Sequence, residues 1–64
     1  MFEIFEVFND KGERVFSTTD KKSVPPKSEI ETVITDGHKV KVNGKMLYKK
    51  NIADFLKELK QGED

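Results

Sequence analysis

The chain has no cysteine and no tryptophan, one histidine, one tyrosine and no net charge. Each shortage removes a class of function. Without cysteine there is neither a disulfide nor a thiolate metal site. With His38 as the one imidazole, a site built on several histidine ligands is excluded. No apolar run approaches the roughly 20 residues that span a bilayer. Acids at Glu3 and Glu6 stand where a signal peptide has a basic start and a continuous apolar run. The expectation is a soluble, cytoplasmic protein with no membrane role. Gly12, Gly37, Gly44 and Gly62 are isolated, each explained by a turn or a cap, so no phosphate-gripping glycine loop is present.

The balance of 12 basic and 12 acidic residues argues against a general nucleic-acid binder, which shows a large basic excess. The charges are nevertheless unevenly placed. Residues 1–20 hold five acids and two bases, residues 21–50 eight lysines and three acids, and residues 51–64 four acids and two bases. A length of 64 residues fits one domain spanning 1–64. Such a domain buries only about 60% of the surface its unfolded chain exposes. Its core must come from five Phe and the patterned Val, Ile and Leu, with help from a partner or a second copy where that falls short.

The clearest local signal is Lys39-Val40-Lys41-Val42-Asn43-Gly44-Lys45-Met46-Leu47-Tyr48. Two alternating runs flank Asn-Gly, the pair that best tolerates the positive φ angles of a tight hairpin turn. A two-residue turn sets Val42 opposite Lys45, Lys41 opposite Met46, Val40 opposite Leu47 and Lys39 opposite Tyr48. One face then carries Val40, Val42 and Leu47, and the other Lys39, Lys41, Met46 and Tyr48. A bulge at Gly44 would instead turn Met46 and Tyr48 toward the core.

The remaining elements follow in order. Residues 2–8 read as a strand with two partly apolar faces, which suits an inner strand or one with a phase shift near Glu6. Asn9-Asp10-Lys11-Gly12 is a turn, with Asp10 read as holding it, and 13–18 form a second strand. Pro25-Pro26 opens a helix over about 26–36, striped by Ile30, Val33 and Ile34. Ser28 and Glu31 offer a later capping box, and Gly37 terminates the helix. Asn51 caps a second helix, 51–61, striped by Ile52, Phe55, Leu56 and Leu59 and ended by Gly62; residues 62–64 are expected to fray. The predicted fold is α+β: a ββαββα order, an antiparallel sheet, and two helices packed on one face. That leaves the other face without a cover. If Phe5 and Val7 lay there with Met46 and Tyr48, its apolar area would be large for a monomer.

Catalytic chemistry finds little support. No nucleophile is marked beside His38, whose place just past a helix C-terminus suits a structural imidazole. Glu29 and Glu31 are two apart and do not face each other; Asp54 and Glu58 share a solvated helix face. The predicted catalytic and metal sites are therefore none, with no cofactor and no small-molecule ligand. The candidate partner-binding residues are Lys39, Lys41, Met46, Tyr48, Lys49 and Lys50. Lysines beside a ring on a sheet can receive an acidic protein surface or hold a phosphate backbone and stack a base. They can also simply blunt a sheet edge.

From Val24-Pro25-Pro26-Lys27-Ser28 through Gly37-His38-Lys39-Val40-Lys41-Val42-Asn43-Gly44-Lys45, the chain resembles small lysine-rich accessory proteins of phages and prophages in Gram-positive bacteria. The likeness covers about a third of the chain, and no catalytic residue comes with it. It implies a protein that binds and redirects or inhibits a host protein. The expected function is thus a non-enzymatic interaction module that binds an unidentified protein or forms a homodimer. The alternative is a small nucleic-acid-binding domain using the same basic hairpin face.

Overall fold

The computed structural model describes residues 2–61. Its elements run β1 (Phe5–Phe8), β2 (Arg14–Thr18), α1 (Lys27–Thr35), β3 (Lys39–Val42), β4 (Lys45–Leu47) and α2 (Ile52–Gln61). Short 3-10 turns at Lys21–Ser23 and Lys49–Asn51 lead toward the two helices. The order is ββαββα, and the four strands form one antiparallel sheet in the spatial order β2-β1-β3-β4. The first strand of the chain is therefore interior, and the β1–β3 seam joins the two ββα halves.

The central hairpin closes through a two-residue turn. Asn43 (φ 53°) and Gly44 (φ 80°) take the two positive φ angles of that turn. Val40 pairs with Leu47, Lys41 with Met46 and Val42 with Lys45. The bulged alternative does not form, so Met46 stays off the core face. Asn43 also does something its turn position does not announce. Its Oδ1 accepts hydrogen bonds from the backbone N–H of Glu3 (2.7 Å) and of Ile4 (3.1 Å), and its own N–H donates to the Ile4 carbonyl (2.9 Å). The turn thereby grips the segment entering β1.

β1 is shorter than the periodicity predicts, starting at Phe5 rather than at residue 2. Phe2 departs from strict alternation and packs against Phe55, ring centroids 6.4 Å apart. Of the two readings of this segment the inner strand is realised: β1 alternates without a break against β3, and the irregularity lies in β2, where Val7 pairs with Phe16 but Phe8 with Arg14, leaving Val15 extra. In the first turn the side-chain bonds come from Asn9 rather than Asp10. Asn9 Oδ1 accepts from the N–H of Lys11 and of Glu13, both at 2.9 Å, and its Nδ2 donates to Glu13.

α1 begins after Pro26, which lacks a side-chain capping bond. The Ser28/Glu31 capping box is not used as a start, because Ser28 already lies inside the helix and its carbonyl accepts from Thr32 Oγ1. The helix ends in a Schellman arrangement: Gly37 (φ 97°) donates to the Ile34 carbonyl and His38 to that of Val33. Ahead of α2, residues Lys49–Asn51 form the 3-10 turn, so Asn51 belongs to that turn. The Gly62 terminator and the fraying expected at 62–64 lie outside the described residues.

The core is Phe5, Val7, Ile30, Val40, Leu47, Ile52 and Phe55. Phe5 stacks on Phe55 (6.0 Å, 14°) and meets Phe16 edge-on (6.1 Å, 70°). Phe5 pairs with Val42 and Val7 with Val40, so both sit on the helix-covered side of the sheet. The possibility that Phe5 and Val7 lie on the bare face is thus not realised.

Candidate functional site

With Phe5, Val7, Val40 and Leu47 facing the helices, alternation assigns the other face of the sheet. Pairing builds two rows across it: Ser17, Glu6, Lys41 and Met46 in one, and Arg14, Phe8 and Lys39 in the other. Tyr48 follows buried Leu47 in extended conformation (φ −106°, ψ 160°), which carries it to the same side as Met46. Four of the six residues singled out from sequence, Lys39, Lys41, Met46 and Tyr48, therefore share one face. Lys49 and Lys50, both exposed, follow Tyr48 in the 3-10 turn at its border.

The electrostatics of this face are uneven. Glu6 is mostly sheltered, with 16% of its side chain exposed, and its carboxylate meets the Arg14 guanidinium at 3.2 Å. That pair neutralises itself, leaving Lys39 and Lys41 as the excess. Lys41 Nζ lies 5.2 Å from the centre of the Phe8 ring, a cation–π distance that holds the lysine down on the sheet. Lys39 stays exposed. Met46 and Tyr48 are 37% and 55% exposed, so apolar surface flanks the two lysines on the β4 side.

A second surface was not singled out from sequence. Val15 and Phe16, 54% and 40% exposed, line a groove between β2 and α1 together with Pro25, Val33 and His38, of about 320 Å³. Val15-Phe16 is the available signal: two consecutive apolar residues cannot both face the core in a regular strand, and here the bulge resolves the conflict. His38 Nδ1 is buried without a hydrogen-bond partner among the described residues. Glu29 lines the same groove, and no hydrogen bond joins it to His38 among the described residues. Nor, among the described residues, do three His, Asp or Glu side chains gather as a metal site. No helix of the described residues is long and apolar enough to cross a membrane.

Comparison with protein-family models, with curated proteins and with solved structures finds no match for this chain, and none of the three supports the likeness to phage accessory proteins.

Proposed function

We propose that the protein is a non-enzymatic interaction module that receives an acidic protein surface on the helix-free face of its sheet. One observation supports this above the rest. Lys39 and Lys41 stand in excess on that face beside exposed Met46 and Tyr48, while the acid among them, Glu6, is already paired with Arg14. Charge gives steering and register, and the thioether and phenol give desolvated contact area. A modulator that redirects or inhibits another protein, of the kind residues 24–45 resemble, works by such a contact.

The same charges argue against pairing this face with itself. A two-fold dimer would bring together two copies of the same lysine-rich face. Nucleic acid fits less well than protein. Single-strand binders present several rings for stacking, whereas here Phe8 lies under Lys41 and Tyr48 is the well-exposed ring.

The test replaces Lys39, Lys41 and Tyr48 together by Glu, Glu and Ala and compares affinity capture with that of the unaltered protein. Loss of a specific captured protein is expected. Unchanged capture, or retention on single- or double-stranded DNA at low salt that falls steeply as salt rises, would count against the proposal.

A further inference from the structure

We propose that the occupant of the helix-free face is an amphipathic helix of the partner, lying along β3 and β4, with acidic residues at positions i and i+4. This rests on the interaction reading above and names the partner's chemistry. The argument begins with spacing. Lys39 and Lys41 are two residues apart on one strand and on the same face, so their Cα atoms stand about 6.8 Å apart. Carboxylates at i and i+4 of a helix rise by about 6 Å. A single helix thus presents one carboxylate to each lysine without bending.

Width agrees with spacing. A helix is about 10 Å across with its side chains, and strands lie about 4.8 Å apart, so one helix covers roughly two strands. Seated along the β3–β4 seam, it meets Lys39 and Lys41 along one flank and Met46 and Tyr48 of the β4 side along the other. The partner helix therefore carries its acidic stripe beside an apolar one. Lys41 is already ordered by the Phe8 ring, which lowers the entropy lost when a carboxylate binds it.

Polarity follows from the 3-10 turn. Lys49 and Lys50 lie beyond Tyr48, at the end of the strip away from the Asn43-Gly44 turn. Cations favour the C-terminal end of a helix, so the docked helix points its C-terminus toward Lys49 and Lys50. A second copy of this chain is a poorer occupant. Its α2 exposes Asp54 and Glu58 at the right interval but sets Lys57 between them and Lys60 just beyond.

The test uses the whole protein, isotope-labelled, and three synthetic 20-residue alanine-based peptides followed by amide chemical-shift changes. The first peptide is helical, with Glu at i and i+4 and Leu on the adjoining stripe. The second is the first with a central proline that breaks the helix. The third is the first with Lys in place of Glu. The expected result is that the first peptide shifts amides of β3 and β4 and binds at least tenfold more tightly than the second. The variant Lys39→Glu/Lys41→Glu should reverse the preference, taking the third peptide over the first. A nitroxide on the C-terminus of the first peptide should broaden the amides of Tyr48 and Lys49 rather than those of Asn43 and Gly44. Equal binding of the helical and broken peptides overturns the helix while leaving an acidic partner in place. Shifts that ignore the Lys39→Glu/Lys41→Glu change, no shift on this face with any peptide, or displacement of the first peptide by an equal charge of single-stranded DNA overturn the inference and the reading beneath it.

Discussion

Asn43 performs two tasks that different substitutions separate. It occupies the left-handed region (φ 53°), and its Oδ1 accepts the N–H groups of Glu3 and Ile4. Asn43→Gly keeps the backbone angle and loses the two acceptor bonds. At the lower end of about 0.5–1.5 kcal/mol per bond, as suits exposed partners, the cost is about 1–2 kcal/mol. Asn43→Ala loses the same bonds and adds about 1–2 kcal/mol for an L-residue held in that region, for a total of about 2–4 kcal/mol. Asn43→Asp keeps an acceptor and should fall within about 0.5 kcal/mol of the unaltered protein. For a domain of this size 1 kcal/mol moves the melting temperature by about 4–8 °C. Thermal unfolding followed by circular dichroism should therefore rank Asn and Asp highest, Gly lower by roughly 5–15 °C, and Ala lowest. Hydrogen exchange gives the second readout: in Asn43→Gly the amides of Glu3 and Ile4 should lose protection while β3 and β4 keep theirs. A Gly variant that melts with the original, or a Gly and an Ala variant that melt together, would refute the division of labour.

Other perturbations test other links. Asn9→Ala removes the acceptor of two backbone N–H groups and a bond to Glu13. It should cost about 1–2 kcal/mol in urea denaturation, whereas Asp10→Ala should cost less than about 0.5 kcal/mol. Phe5→Ala empties the middle of the ring cluster at a fully buried position. Its cost of about 3–5 kcal/mol is comparable to the whole stability of so small a domain, so the variant should show little cooperative unfolding by any probe.

Much of the architecture was legible because its signals are local. Asn43-Gly44 marks a tight turn, and its two-residue form decides which of Val40, Lys41, Met46 and Leu47 share a face. Gly12 and Gly37 mark chain reversals for the same reason, each with a positive φ. What sequence left open was settled by pairing between distant segments. The parity of Phe5 and Val7 was readable, but the face they belong to depends on β3 lying against β1. The start of β1 was misplaced because Asn43 reaches across to residues 3 and 4, a contact no local pattern encodes. The six candidate residues were found as a hairpin with its flank. Their charge excess emerged only once Arg14 was seen to occupy Glu6. The β2–α1 groove was missed because its members come from three separate stretches of the chain.

The interior position of β1 also sets the order of assembly. Each hairpin closes over a few residues, but the β1–β3 seam closes a loop of about 30 residues, from Phe8 to Lys39. Relative to a four-residue turn that closure costs about 2 kcal/mol more in chain entropy. The two ββα halves can collapse locally at the microsecond scale of hairpins, and joining them is the expected slow step. Asn43 spans both events: its backbone angle is fixed with the local turn, while its grip on Glu3 and Ile4 forms only as the halves meet. The additional destabilisation on going from the Gly to the Ala variant should accordingly slow folding, while the part shared by both should appear mainly as faster unfolding.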